Sequence, residues 1–365
     1  MERNELMIIY GDKPLEMTKK ICEAAHLADM IPAGASIGLK PNLVVAKHPD
    51  TGATTHAEIL EGCIQYLQEH GHRNIMIIEG SWVGDSTTRA FKVVGYDRLS
   101  RQYNVPLFDT KSDTYEHRSY GGLTMEISKT ALNLDFLINM PVLKGHCQTI
   151  VTGALKNLKG TLSDREKRHF HSLGLHKPIA YLNKIVRPGF ILGDGMCGDL
   201  DFEEGGNPVR MNRIFCGLDP VLIDSYICQT MGYEPNEIPY IRIAEDIGVG
   251  STDLAHAVVT ELNKDTSRAK PASSRRVAQL ARYVDDKDAC SACYANLIQA
   301  CARLDDRGLL GWLKKTPVKI GQGYRGQTGT CPGIGNCTRG FDTHCAGCPP
   351  KTPDIIAYLE EYISR

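Results

Sequence analysis

Long apolar runs and an excess of charge of either sign are both missing from this chain of 365 residues. No stretch approaches the roughly 18 consecutive apolar residues of a membrane span, and the N-terminus leads into a short strand-like segment instead of a secretory core. The formal net charge is −1, so no global field attracts nucleic acid or an anionic membrane surface. We therefore expect a cytoplasmic protein with neither a nucleic-acid nor a membrane partner.

Internal repeats and low-complexity segments are absent as well, and the remaining sequence has a regular pattern. Short apolar runs at residues 6–10, 35–39, 75–78, 136–142 and 190–192 alternate with stretches of helical spacing. This alternation predicts an α/β fold with a mostly parallel sheet flanked by helices. We predict an α/β core over residues 1–250, a helical connector over 251–288 and a cysteine-rich, iron–sulfur-binding segment over 289–365.

Cysteine is plentiful but unevenly distributed. The chain has 13 cysteines, an odd number that does not indicate a disulfide framework in a reducing compartment. The scattered ones are predicted to be small buried hydrophobes; they are Cys22, Cys63, Cys147, Cys197, Cys216 and Cys228. The others crowd into the last quarter and need a different explanation; they are Cys290, Cys293, Cys301, Cys331, Cys337, Cys345 and Cys348.

The crowded cysteines have the spacing of a metal site. Cys290 and Cys293 form a CxxC pair at the start of a helical stretch, where a turn lets both sulfurs converge and the helix N-terminus favours the thiolate. Cys337 and Cys348 lie in loops rich in glycine, and Cys348 is followed by proline, as in ferredoxin ligand runs. A zinc site and buried or redox-active thiols are the alternatives.

The long interval between Cys293 and Cys345 and the Gly-Cys-Pro-Pro ending favour iron–sulfur over zinc. We predict that one [4Fe–4S] cluster is held by four ligands, Cys290, Cys293, Cys337 and Cys348. Cys331 and Cys345 remain alternative ligands, whereas Cys301 is expected to face the core.

Cationic and polar side chains follow several of the predicted strands. Ligands of open α/β sheets bind beyond the carboxyl ends of the strands, and lysines there bind carboxylate or phosphate groups. Histidine titrates near neutral pH and suits general acid–base work. Solvated lysines and a histidine that caps a helix are the alternatives. The candidates are Lys40, Asn42, Lys144, Lys156 and Asn157 for substrate binding and His56 and His146 for catalysis, with Glu79 to orient a histidine.

Five short motifs together resemble the family catalogued as domain of unknown function 362. They are Lys-Pro-Asn at 40–42, Thr-Gly-Ala-Thr-Thr-His at 51–56, Pro-Val-Leu-Lys-Gly-His at 141–146, residues 153–160 and Asp-Pro-Val at 219–221. The resemblance implies an α/β core and, as in many members, an iron–sulfur centre; the Cys290–Cys293 pair and the Gly-Cys-Pro-Pro ending at 347–350 look like those of members that carry iron–sulfur ligands. Many members carry a ferredoxin module with two C-x₂-C-x₂-C-x₃-C-P runs, which this chain lacks, so a two-cluster relay is not expected. The family is distantly similar to the nickel-dependent lactate racemase group, which implies a small anionic substrate.

These observations lead to one expected function and two alternatives. We expect an iron–sulfur oxidoreductase that acts on a small anionic metabolite and exchanges electrons with a redox partner protein. A non-redox racemase or lyase with a structural cluster is the first alternative. A non-catalytic electron carrier is the second.

Overall fold

The computed structural model describes residues 1–265, 273–314 and 316–364. The chain forms two compact units. The first comprises Met1–Ser81, Asp85–Lys167 and His176–Ser273, and the second comprises Trp82–Gly84, Arg168–Leu175 and Ser274–Arg365. No helix within the described ranges is both long and apolar enough to cross a membrane.

The strands are β1 (Glu5–Tyr10), β2 (Ile37–Pro41), β3 (Ile75–Glu79), β4 (Leu107–Asp109), β5 (Tyr115–Tyr120), β6 (Leu123–Ser128), β7 (Phe136–Met140), β8 (Lys144–His146), β9 (Ile150–Thr152), β10 (Phe190–Asp199), β11 (Pro208–Gly217), β12 (Val258–Glu261), β13 (Val284–Asp286), β14 (Val318–Ile320), β15 (Gly333–Ile334) and β16 (His344–Cys345).

The α-helices are α1 (Pro14–Ala24), α2 (Ala57–Glu69), α3 (Thr87–Val94), α4 (Tyr96–Tyr103), α5 (Lys129–Leu132), α6 (Ala154–Asn157), α7 (Asp164–Ser172), α8 (His176–Ile185), α9 (Pro220–Thr230), α10 (Pro239–Asp246), α11 (Arg276–Leu280), α12 (Ser291–Asp306) and α13 (Thr352–Ser364). Short 3₁₀ turns lie at Leu27–Met30, Pro49–Thr51, Thr110–Ser112, Leu158–Thr161, Pro235–Glu237, Ala281–Tyr283, Leu310–Lys314, Gln322–Tyr324 and Asn336–Thr338.

An eight-stranded sheet forms the centre of the first unit, with the order β12-β1-β11-β10-β7-β2-β3-β4. Strand β11 runs antiparallel to both of its neighbours, and every other pairing is parallel. Strands β2 and β7 are buried along their whole length, as expected for strands with helices on both faces. The predicted α/β fold with a mostly parallel, helix-flanked sheet is therefore confirmed.

The helices pack closely over this sheet because small residues lie at their contacts. A Cβ atom placed on Gly62 of α2 would lie 2.6 Å from the carbonyl oxygen of Leu15 in α1. Glycine lets the two helix backbones approach to this distance. Of the scattered cysteines, Cys147 is partly exposed and the other five are buried, as expected of small hydrophobes.

Residues 251–288 differ from the helical connector that the sequence predicted. They contain β12, which pairs in parallel with β1 at the edge of the large sheet, and the second unit takes up the chain again at Ser274. Val258 and Val259 of β12 are exposed, so the strand lacks the buried apolar pattern that marks a strand in a sequence. Residues 266–272 of this segment lie outside the described part of the chain.

The second unit has a smaller sheet of short parallel strands in the order β13-β14-β15-β16. Helices α12 and α13 bury apolar side chains, among them Ile298, Leu304 and Leu359. Cys301 of α12 is fully buried, as predicted. This unit carries all seven of the crowded cysteines.

Candidate functional site

Four cysteines from three chain segments line one pocket in the second unit. Cys290 is the N-cap residue of α12 and Cys293 lies in the first turn of that helix. Cys337 lies in the turn that follows β15, and Cys348 lies in the loop before α13. We call this the cysteine pocket; the structure brings together the four side chains that the sequence predicted as ligands.

The thiols of the cysteine pocket are close enough to influence one another. Burial raises the pKa of Cys293, and the neighbouring thiols of Cys290, Cys348 and Cys337 raise that pKa further, because thiolates repel one another. Arg168 acts in the opposite direction. A cationic centre among the sulfurs would remove this repulsion and keep all four thiols deprotonated.

Arg325 adds positive charge to the same pocket. Its guanidinium hydrogen-bonds to Cys337, and this contact, with the charges of Cys290 and Cys348, raises the pKa of Arg325. The positive charges of Arg325 and Arg168 would therefore offset part of the negative charge of thiolates in this pocket.

Glycines leave room around the sulfurs. Gly335 adopts φ +83°, and a Cβ placed on it would lie 4.0 Å from Cys293 Sγ. Gly347 adopts φ +141°, and a Cβ there would lie 2.5 Å from Pro350 Cα. Only glycine fits such positions without strain, so the loops that carry Cys337 and Cys348 depend on these residues. Ile320 and Ile334 supply an apolar part of the pocket wall.

The other crowded cysteines do not line this pocket. Cys345 is buried in β16, Cys331 is partly buried, and Cys301 faces the core from α12. The pocket thus has four thiols as candidate ligands, two guanidinium groups and an apolar wall. This combination suits an iron–sulfur cluster.

The cationic residues predicted for substrate binding lie in the first unit and are buried. Lys40 Nζ lies 2.6 Å from Glu79 Oε2, and the side chains are 0% and 4% exposed. Asn157 Nδ2 donates to the Lys40 carbonyl oxygen at 3.3 Å. Glu79 therefore pairs with Lys40 and not with a histidine, because their parallel strands β2 and β3 are neighbours and end at the same edge.

Lys144 is held by three oxygen acceptors. Its Nζ donates to Asn42 Oδ1 at 3.1 Å and to the carbonyl oxygens of Ala53 and Glu203. Burial lowers the pKa of Lys144 to about 7, although the charge of Glu203 opposes the shift. Its three N–H donors are all used within the protein, so in this arrangement Lys144 is a structural centre.

Glu203 connects the remaining predicted residues, Lys156 and His146, and was not itself predicted from the sequence. Its Oε1 accepts from Lys156 Nζ at 2.6 Å, and its Oε2 lies 2.8 Å from His146 Nε2. Burial would raise the pKa of Glu203, but His146 and Lys156 hold that pKa well below its usual range. The only signal in the sequence was a pair of glutamates, Glu203 and Glu204, in a glycine-rich turn.

Both ring nitrogens of His146 are engaged. Nδ1 accepts from the backbone N–H groups of Gln148 at 2.9 Å and Thr149 at 3.1 Å, and Nε2 faces Glu203. Burial lowers the pKa of His146 to about 4, so the ring is neutral and its proton is on Nε2. The His146 side chain is 1% exposed, so neither nitrogen is accessible to a substrate in this arrangement.

His56 is arranged differently. Its Nδ1 and its backbone N–H both lie 2.8 Å from Asp194 Oδ2, and Met196 N–H donates to Asp194 Oδ1. Burial lowers the pKa of His56, but Asp194 outweighs this and the net shift is upward. Among the described residues, no protein group hydrogen-bonds to His56 Nε2, so this nitrogen is available for proton transfer. Asp194 lies in a Gly-Asp-Gly sequence after an apolar run, which could have indicated it.

One family model and one curated protein match this chain in sequence. The model of a family described as "Domain of unknown function (DUF362)" matches residues 37–229, just over half of the chain. A thylakoid-associated protein of Synechocystis sp. is 24% identical over 233 residues, which are 62% of this chain and 72% of that protein.

Two solved structures are similar at low identity. The lactate racemase apoprotein of Thermoanaerobacterium thermosaccharolyticum is 14% identical, with a TM-score of 0.38 and coverage of 69% of this chain and 59% of that one. A Thermotoga maritima protein is also 14% identical, with a TM-score of 0.34 and coverage of 50% and 51%.

The matched region contains the polar network of the first unit, from Lys40 to Glu203, whereas the cysteine pocket lies mostly beyond it. Because the family model covers more than half of the sequence, the chain belongs to the DUF362 family.

Proposed function

We propose that this protein is an iron–sulfur oxidoreductase that acts on a small anionic metabolite. Cys290, Cys293, Cys337 and Cys348 would hold one [4Fe–4S] cluster, which supplies one-electron transfer when bound. The observation that carries the proposal is the convergence of these four thiols, from three segments of the chain, on one pocket.

The number and kind of the ligands favour a cluster over a single ion. The cysteine pocket is lined by four thiols and by no His, Asp or Glu side chain. Four cysteine thiolates are the ligand set of one [4Fe–4S] cluster, although they can also hold zinc. The long interval between Cys293 and Cys345 and the Gly-Cys-Pro-Pro ending favour the cluster.

The protein's own residues would divide the remaining work. Arg168 and Arg325 offset the negative charge of the thiolates in the second unit. In the first unit, His56 would take or give a proton at Nε2 while Asp194 fixes the orientation of the ring.

Cluster binding is tested by anaerobic purification with iron and sulfide quantitation and electron paramagnetic resonance. We expect about four irons and four sulfides per chain, as in one [4Fe–4S] cluster. Cys293→Ser or Cys337→Ser should remove most of the iron, whereas the matched variants Cys301→Ser and Cys331→Ser should retain it. Stoichiometric zinc without iron, or equal losses in all four variants, would contradict the proposal.

The oxidoreductase is distinguished from the two alternatives by His56→Gln in cluster-loaded protein. Turnover of two- to four-carbon hydroxy- and oxo-carboxylates with a one-electron dye should fall about 100-fold or more, since general acid–base groups contribute on this scale. If the protein were an electron carrier, the parent and His56→Gln should reduce the dye equally well. A racemase or lyase would convert a carboxylate without any dye reduction.

A further inference from the structure

A second pocket adjoins the cysteine pocket. It encloses about 260 Å³ and is lined by Arg325, Gly326, Asn336, Cys337, Arg339 and Cys348. Four of these residues, Arg325, Asn336, Cys337 and Cys348, also line the cysteine pocket. We call it the arginine pocket. Any ligand bound there would lie against two of the four candidate cluster ligands.

The arginine pocket carries positive charge that no carboxylate neutralises. Among the residues that the structure describes, neither Arg325 nor Arg339 forms an ion pair with Asp or Glu, and no acidic residue lines the pocket. In the same unit, by contrast, Arg303 lies 3.5 Å from a carboxylate oxygen of Asp306, and Arg307 pairs with Glu360. Guanidinium groups left without a carboxylate are suited to bind planar or tetrahedral oxoanions.

We propose that the arginine pocket binds a small oxoanion, a carboxylate or a phosphate, and that its affinity depends on the redox state of the adjoining cluster. The proposal rests on the cluster proposed above; it concerns an anion bound in the second unit and assigns no role to His56. The pocket volume lies just below the range of about 300–1,000 Å³ found for small-molecule sites, which favours a metabolite of a few carbon atoms.

The direction of the coupling follows from electrostatics. Reduction adds one negative charge to the cluster, and an anion held against Cys337 and Cys348 is repelled by that charge. The guanidinium of Arg325 hydrogen-bonds to Cys337 and would also bind the anion. A more negative cluster therefore attracts this guanidinium more strongly and weakens its contact with the anion. Reduction should therefore weaken anion binding, and by linkage the bound anion should lower the reduction potential by the same free energy.

The test is calorimetric titration of the loaded protein, oxidised and then electrochemically reduced, at low ionic strength. The probes are inorganic phosphate, acetate, malonate and succinate, which separate phosphate from carboxylate recognition. We expect the best probe to bind about tenfold more weakly after reduction, which corresponds to a potential about 59 mV more negative for a one-electron couple. A redox titration with and without the probe measures that shift independently.

Arg339→Gln should weaken binding about tenfold or more, because it removes one of the two guanidinium groups of the arginine pocket. Arg339 is not among the residues that line the cysteine pocket, so the variant should retain the cluster. Arg303 is exposed, so Arg303→Gln is the matched control and should bind the probes as tightly as the parent does. Equal affinities in both redox states would overturn the coupling, and unchanged binding by Arg339→Gln, or no binding of any probe, would overturn the site. Iron is quantified in each sample: if iron is absent the cluster proposal fails, while the comparison of the two arginine variants still decides whether the pocket binds anions.

Discussion

Glu203 shows how much a single buried carboxylate can organise. It neutralises Lys156, faces His146 with its second oxygen and accepts from Lys144 with its backbone carbonyl. Removing one partner of a buried ion pair leaves the other charge without compensation, which costs more than the pair itself contributes.

Glu203→Gln should therefore lower the stability of the first unit by about 3–5 kcal/mol. Amide hydrogen exchange of β2 and β7 measures this loss within that unit. The exposed Glu16→Gln in α1 serves as the control and should change exchange by less than about 0.5 kcal/mol. A loss below about 1 kcal/mol for Glu203→Gln would show that the network tolerates an uncompensated Lys156.

The neighbouring Glu204 has the opposite character. It is 2% exposed, and neither of its carboxylate oxygens has a hydrogen-bond partner among the described residues. Burial, with the charges of Glu203 and Asp199, raises its pKa from 4.5 to about 7. Between these two values the folded protein keeps a proton that the unfolded chain has released, so this group makes stability fall as pH rises.

Glu204→Gln should remove that pH dependence. At pH 5 the variant and the parent should be nearly equal, because the parent carboxyl is protonated. At pH 8 the variant should be more stable by up to about 3 kcal/mol, since each pKa unit corresponds to about 1.36 kcal/mol. Hydrogen exchange of the first unit at both pH values measures the difference. If the variant and the parent differed in stability by the same amount at pH 5 and at pH 8, the raised pKa of Glu204 would be contradicted.

At the scale of elements, the sequence was most informative where an apolar run is buried on both faces. Strands β2, β3 and β7 lie where their runs predicted them. Strand β10 begins as predicted but continues to Asp199 through glycines and a cysteine, because antiparallel pairing with β11 supplies its backbone hydrogen bonds. Such pairing depends on residues distant in the chain, so no local pattern reveals it.

The loop before α13 gives a prediction of its own. Gly347→Ala would place a Cβ against the Pro350 backbone at a positive φ, so the loop that carries Cys348 must shift. We expect the variant to retain less than about half of the parent's iron after anaerobic purification. Gly311→Ala is the control, because nothing lies within 4 Å of a Cβ at that position. Full iron retention in Gly347→Ala would show that the Cys348 loop is not needed for binding.

At the scale of the whole molecule, the candidate cluster ligands and both tryptophans belong to the second unit. Trp82 and Trp312 are the chain's two tryptophans and both are assigned to that unit, so their fluorescence should respond to its unfolding. A centre that binds only the folded state stabilises the unit that contains its ligands.

Removal of iron by a chelator should therefore act on one unit. We expect the fluorescence-detected urea midpoint to fall, with a loss of about 3 kcal/mol or more in the second unit. Amide exchange of β2 and β7 in the first unit serves as the internal control and should change less than about twofold. Equal destabilisation of both units, or none in the second, would contradict a cluster held by the cysteine pocket.

The sequence by itself determined the fold class and the cysteines of the candidate centre. Alternating apolar runs and helical spacing indicated a parallel sheet, and the CxxC pair with its glycine-rich loops indicated the four thiols that line one pocket. These signals are local, since they depend on periodicity and turn chemistry within about 15 residues.

Only the tertiary structure decided which polar groups meet. It paired Glu79 with Lys40 and surrounded Glu203 with His146 and Lys156. It also set His56 against Asp194, with the other ring nitrogen of His56 unoccupied by any protein group among the described residues. It also left Arg325 and Arg339 facing one open pocket beside the thiols. These partners lie up to 138 residues apart, and their contacts follow from strand order and packing, which are set by the burial of the whole chain and not by any single segment.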